Sequence, residues 1–149
     1  MLDNIRRNKI GYLFKDFNLI NRLTAAENIE ILMYGLGISR KEKRSRVMNS
    51  LRSFGIEAMA EEKVSTLSGL NKQLVSLARA IVNNPLMIIA DEPAANLDSK
   101  EKQRIMEHLS LLNTEGITII LFTEDEIIEA LSRYRIISFP FPCKEGGLR

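Results

Sequence analysis

The 149-residue sequence is short of cysteine and histidine, with one of each, and has no apolar run long enough to cross a bilayer. The lone cysteine, Cys143, excludes an internal disulfide, and its place in a proline-containing tail reads as incidental rather than catalytic. His108 falls inside a helical pattern with no partners spaced for a metal, so it reads as a surface or packing residue. A spanning helix needs about 20 predominantly apolar residues, and none is present. The start, Met1-Leu2-Asp3-Asn4-Ile5-Arg6-Arg7, lacks an apolar core of signal-peptide length, which predicts a cytoplasmic chain. A formal net charge of +2 is too small to imply nucleic acid as a partner. Also absent is any Gly-x-x-x-x-Gly-Lys-Ser/Thr, the pattern whose backbone amides, lysine and hydroxyl cradle a nucleotide's phosphates.

What is present suits one globular domain with a sizeable core, since 45% of the residues are hydrophobic and 27% charged. The organising stretch is Leu86 to Ser99. Its first five residues, Leu-Met-Ile-Ile-Ala, are apolar without a turn former, as in a strand buried on both faces of a parallel sheet. Asp91 and Glu92 follow where that strand ends. Open α/β sheets place their chemistry at the carboxyl ends of strands, so the two acids suit a metal-holding carboxylate followed by a general base. The alternative is that they mark where a buried strand reaches solvent. Pro93 stops the strand, and Asp98 with Glu101 forms a capping-box start for a helix.

The other elements follow from the same signals. Residues 9–14 read as a short strand and 15–18 as the loop after it. Thr24 and Glu27 make a capping box for a helix to about Tyr34, which Gly35 and Gly37 end. Ser39 and Glu42 make a second, with Val47, Leu51 and Phe54 on one face and Arg40, Lys41, Lys43, Arg44 and Arg46 on the other. Those bases read as a solvated face, or as a contact for anionic lipid or an acidic loop. Leu67-Ser68-Gly69-Leu70-Asn71 opens a further helix with Leu70, Leu74, Leu77, Ala78 and Ile81 as its buried stripe. Ser68 is there an ordinary N-cap or part of an anion site made by free amides. The helix after Asp98 buries Ile105, Met106, Leu109 and Leu112 and ends over residues 113–116. Residues 117–122 read as another buried strand, Thr123 and Glu126 as a third capping box, and 135–139 as a last strand before Pro140 and Pro142.

Asp91-Glu92-Pro93 after an apolar strand, then Asn96-Leu97-Asp98-Ser99, with Leu67-Ser68-Gly69 upstream, resembles the Walker B strand, D-loop and Leu-Ser-Gly-Gly-Gln signature of ATP-binding cassette (ABC) transporter ATPases. The wording around Asn83-Asn84-Pro85 and residues 90–99 is most similar to the branch serving lipoprotein release and antimicrobial-peptide or macrolide export. The resemblance runs from about residue 10 to about 139. It implies an α/β fold, a P-loop ATPase-type parallel sheet flanked by helices with an inserted helical subdomain, incomplete at the N-terminus. Residues 1–149 then form a single partial domain, with the helical subdomain and signature helix at about 18–82, the Walker B to C-terminal part of the catalytic core at about 83–139, and a tail at 140–149. In the family the P-loop strand lies between the strands ending here at Phe122 and starting at Arg135, which predicts an open slot between them.

The resemblance further implies ATP and magnesium as cofactors, Asp91 as the metal ligand and Glu92 as the catalytic residue that polarises water. Ser68, Gly69, Leu70 and Asn71 occupy the signature, Asp98 reaches across a dimer interface, Lys15 stands at the Q-loop glutamine and Glu124 at the switch histidine. Several positions depart from the pattern. An ammonium at Lys15 cannot ligate magnesium, although it can approach a phosphate or simply be an exposed loop lysine. Leu70 replaces the second glycine where close backbone approach is wanted, and Asn71 replaces the glutamine. Glu124 sets a carboxylate where a phosphate is expected, but in a first helical turn it is mildly stabilising. The implied partners are a transmembrane permease subunit and a second nucleotide-binding domain, at the cytoplasmic face of the membrane. The expected function is the C-terminal part of an ATP-binding subunit coupling ATP hydrolysis to export, inactive alone. The alternative is a non-catalytic protein docking on a transmembrane subunit or a full-length ATPase.

Overall fold

Short β-branched and apolar runs supply the strands and amphipathic segments the helices that cross between them. The computed structural model describes residues 9–124. The elements are β1 (Ile10–Phe14), α1 (Ala25–Glu30) continued by a 3-10 turn (Ile31–Met33), α2 (Arg40–Arg52), α3 (Gly69–Ile81), β2 (Met87–Asp91), α4 (Ser99–Thr114) and β3 (Thr118–Phe122). The strands pair in the order β1-β2-β3, all parallel, with Gly11 opposite Ile88 and Ile88 opposite Ile119. Parallel neighbours need long crossovers, and here α1 to α3 make the first and α4 the second. The fold is therefore α/β, with helices against a parallel sheet.

The core is continuous from the sheet into the helices. Leu13, Ile88 and Ala90 of the sheet are fully buried with Leu74 and Leu77 of α3, Ile29 of α1, Leu51 of α2 and Ile105 and Leu109 of α4. Gly11 sets how closely α3 lies on β1. A Cβ there would meet the Ala80 carbonyl oxygen at 2.6 Å, so only hydrogen fits. His108 packs edge-on against Phe54, with ring centroids 5.1 Å apart, tying α4 to the segment after α2. Burial lowers its pKa from the ordinary histidine value, helped by Arg104 and partly opposed by Glu107.

Several expectations need correction. The strand ending at Phe122 is not buried on both faces, because Ile120 is 38% and Phe122 52% exposed. Among the described residues only β2 pairs with it, and the side chains of Ile120 and Phe122 stay accessible. The helix begun by Thr24 is α-helical only to Glu30 and tightens to 3-10 geometry before Gly35, at φ 80, turns the chain. The Ser39–Glu42 box is half formed. Ser39 accepts from the Glu42 amide at 3.2 Å, but the Glu42 carboxylate is taken by Arg46 at 2.6 Å, a charge-assisted bond that outcompetes a backbone amide. Leu70 and Ile81 are only half-buried, while Gln73, Val75 and Ser76 are buried, so α3 is enclosed on more than one stripe. Glu126, the strand at 135–139, the slot beside it and Cys143 lie outside the described residues.

The close approach at Gly11 gives the first expectation. Gly11→Ala forces α3 off β1 and should lower stability by about 1–3 kcal/mol, the usual cost of overpacking. A lower urea midpoint at unchanged slope checks it.

Candidate functional site

The carboxyl ends of the three strands carry the candidate site. Asp91 closes β2 in register with Phe14 on one side and Phe122 on the other. Its side chain is exposed and makes no hydrogen bond or ion pair among the described residues. Glu92, the next residue, adopts φ 44, a left-handed conformation that costs a non-glycine residue about 1 kcal/mol or more. Its amide still donates to the Phe122 carbonyl at 2.9 Å, so the turn is fixed to β3. The Glu92 carboxylate is held there as well. Its Oε1 accepts from the Glu124 amide at 2.6 Å and its Oε2 from the Thr123 hydroxyl at 3.2 Å.

The loops after β1 and β2 meet beside these acids. Asn96 donates from Nδ2 to the Lys15 carbonyl oxygen at 3.2 Å. Lys15 itself is exposed. Asp98 caps α4, with Oδ1 accepting from the amides of Lys100 and Glu101 at 2.9 Å each, while Glu101 returns an acceptor to the Asp98 amide at 3.1 Å. The predicted capping box is thus complete, and it occupies the Asp98 carboxylate.

Ser68, Gly69, Leu70 and Asn71 form a separate group at the start of α3. Ser68 is its N-cap, accepting from the Asn71 amide at 3.2 Å. No hydrogen bond links Ser68 to Asp91 or Glu92. An added Cβ on Gly69 would meet Leu97 Cδ2 at 3.5 Å, an ordinary contact, so packing within the chain does not demand glycine there. Leu70 packs against the core, which accounts for an apolar side chain at this position without reference to a phosphate. The structure therefore gathers Lys15, Asp91, Glu92 and Glu124 at the strand ends and leaves the Ser68 group apart.

The residues that hold this arrangement together are ones the sequence reading passed over. Gln73, fully buried, donates from Nε2 to the Pro93 carbonyl at 2.6 Å and so pins the turn after Glu92 onto α3. Arg79 donates from Nη2 to the Phe17 carbonyl at 2.8 Å and from Nη1 to that of Asn18, and the Ser76 hydroxyl adds a bond to Phe17 at 3.2 Å. Phe17 and Asn18 both have positive φ, 62 and 48. Asparagine tolerates that conformation, but phenylalanine is strained in it. Burial lowers the Arg79 pKa from its usual value, yet a guanidinium stays charged in proteins. The sequence signal was available: Gln73, Ser76 and Arg79 recur at helical spacing among the apolar residues of α3.

Magnesium takes one or two protein carboxylates and completes its shell with phosphate oxygens and water. The unengaged Asp91 carboxylate fits that demand, whereas Glu92 is already hydrogen-bonded. Among the described residues no group of three acids, histidines or cysteines gathers to hold a metal by itself.

A family profile described as ABC transporter matches residues 2–95. The chain belongs to the ABC transporter ATP-binding family. It is 41% identical over 130 residues to the uncharacterized ABC transporter ATP-binding protein YknY of Bacillus subtilis, covering 87% of this chain and 56% of that protein. Against the ABC transporter ATP-binding protein MJ0796 of Methanocaldococcus jannaschii it is 45% identical over 129 residues, covering 83% and 55%. The macrolide export ATP-binding/permease protein MacB of Mannheimia succiniciproducens matches 91% of this chain at 40% identity, over 21% of its own length. The dimeric structure of MJ0796 in a post-hydrolysis state bound to ADP and Pi superimposes with a TM-score of 0.74 at 42% identity, over 85% of this chain and 57% of that one. The chain thus spans about half the length of these ABC ATP-binding proteins and about a fifth of MacB.

The Arg79 fork gives the second expectation. Arg79→Met roughly keeps the volume but removes the donor to the Asn18 carbonyl and leaves the Phe17 carbonyl with the Ser76 hydroxyl alone, and should cost about 1–3 kcal/mol in urea unfolding. Arg79→Lys should recover only part of that loss, because a point charge cannot fork between two carbonyls.

Proposed function

We propose that these residues are the signature-to-switch portion of an ATP-binding subunit that couples ATP hydrolysis to export, and that the 149 residues alone do not hydrolyse ATP. The observation that carries the reading is the convergence of Asp91 and Glu92 with the Lys15 and Glu124 loops at one end of a parallel sheet, where such folds do their chemistry. Magnesium ATP, when bound, supplies the terminal phosphoryl group and a cation that offsets its charge. Asp91 ligates the metal through its free carboxylate. Glu92 orients the attacking water, for which it must leave its bonds to Thr123 and the Glu124 amide. Ser68 and the first amides of α3 face a phosphate held by a second nucleotide-binding domain, and Asp98 lies at that dimer interface. Membrane association follows through a transmembrane permease subunit at the cytoplasmic face.

Phosphoryl transfer depends almost wholly on positioning and charge stabilisation, and no Gly-x-x-x-x-Gly-Lys-Ser/Thr occurs in this chain to supply them. Lys15, Leu70, Asn71 and Glu124 depart from the family pattern at positions that touch nucleotide or metal. A second reading, docking on a permease or a full-length ATPase without hydrolysis, is favoured by the engagement of the Glu92 carboxylate.

Phosphate release from magnesium ATP is the test. The chain and its Glu92→Gln variant should both sit at the no-protein background, and both should co-purify with the cognate permease subunit. Release above background that Glu92→Gln abolishes would overturn the inactive assignment, and failure of both to co-purify would overturn the transport assignment.

A further inference from the structure

The principal neighbours of α4 are α3 and β3, and its ring contact with the segment leaving α2 is that of His108 with Phe54. The two rings meet edge to face, at 83° with centroids 5.1 Å apart. Phe54 is 3% exposed and belongs to the continuous core, whereas His108 is half-buried, so a titratable ring closes over an apolar one. The turn that presents Phe54 is short and local. The Phe54 and Ile56 amides both donate to the Leu51 carbonyl at 3.1 Å, and Gly55 between them has φ 67.

A neutral imidazole suits this place and an imidazolium does not. The added proton would set a charge against a buried phenyl ring, and Arg104 lies one turn earlier on α4, where like charges repel. Glu107 acts in the opposite sense, but its carboxylate already accepts from Gln103 Nε2 at 2.9 Å. On the facing side Arg52 bonds Asn49 at 3.4 Å, and Glu57 follows the turn. Lys72 begins α3, Arg79 is turned to the Phe17 and Asn18 carbonyls, and β3 carries no charge. Among the described residues no carboxylate forms an ion pair with the imidazole.

We propose that the His108–Phe54 contact is a proton-sensitive joint between α4 and the crossover formed by α1 to α3, closed when the imidazole is neutral and loosened when it is protonated. Gly11, Gln73 and Arg79 hold α3 to the sheet and its loops, and none of them titrates near neutral pH, so the loosening is confined to the turn after α2. The joint operates without nucleotide. Because the folded state disfavours the proton, the contact's contribution is complete above the ordinary histidine value of 6.5 and is lost as pH falls through the lowered folded value.

His108 is the only histidine in the sequence, so its ring protons can be followed by NMR without ambiguity. From about pH 8 to about pH 5 the Phe54 ring signals should move with the same midpoint as those of His108. Over that span the hydrogen-exchange protection of the Phe54 and Ile56 amides, corrected for intrinsic rates, should fall while that of Leu74 and Leu77 in α3 holds. His108→Phe keeps a ring pair with no proton to gain, and should lose the pH dependence. His108→Ala should open the turn by about two- to tenfold at every pH, the usual worth of an aromatic pair. Arg104→Gln should raise the His108 midpoint. Phe54 signals that ignore the His108 titration, or a fall in protection that His108→Phe retains, would overturn the proposal. So would an equal loss of protection in α3, which would assign the pH effect to global unfolding.

Discussion

Helix α3 is the element on which the described structure depends, because it satisfies with its own polar side chains the carbonyls that two sheet loops cannot pair for themselves. Gln73 reaches the Pro93 carbonyl after β2, and Arg79 with Ser76 reaches Phe17 and Asn18 after β1. The Pro93 carbonyl is buried, and left unpaired it would cost more than a made bond returns, so the Gln73 contact acts as a constraint more than as a gain. Gly11 completes the arrangement by letting α3 settle directly on β1. The helix that begins at the candidate signature is thereby the one that fixes the geometry of both candidate catalytic loops.

Fixing those loops sets the geometry of the candidate site. Parallel pairing in register brings Phe14, Asp91 and Phe122 side by side, so whatever follows each strand arrives at the same edge. Asp91 is left with a free carboxylate and Glu92 is turned, at the expense of a left-handed backbone, toward Thr123 and Glu124. Strain of this kind persists only where the surroundings over-determine it, and here the Phe122 and Pro93 carbonyl bonds do so. The two neighbouring acids thus stand in different states, one available to a cation and the other bound to the protein.

Much of this was legible in the residues. The three strands follow from apolar runs, the starts of α1 and α4 from complete capping boxes at Thr24–Glu27 and Asp98–Glu101, and the family from Asp91-Glu92-Pro93 with Leu67-Ser68-Gly69. What escaped was set by competition between partners or by context. Glu42 had the spacing of a capping box, but Arg46 one turn on offered a stronger bond. Residues 118–122 had the composition of a buried strand, yet burial is decided by neighbours, and composition cannot count them. Gln73 and Arg79 looked like interruptions of an apolar stripe because their carbonyl partners lie 20 and about 60 residues away in sequence.

The central claim is that the strand-end carboxylates are assembled while the phosphate cradle is not supplied by these residues. Titration calorimetry of magnesium ATP into the purified 149-residue chain, beside its Asp91→Asn variant, tests it most directly. The account predicts no saturable binding for either protein up to about millimolar nucleotide, where binding energies fall near 4 kcal/mol. Saturable binding by the parent that weakens in Asp91→Asn would contradict it, because a phosphate site would then exist without the glycine-rich cradle.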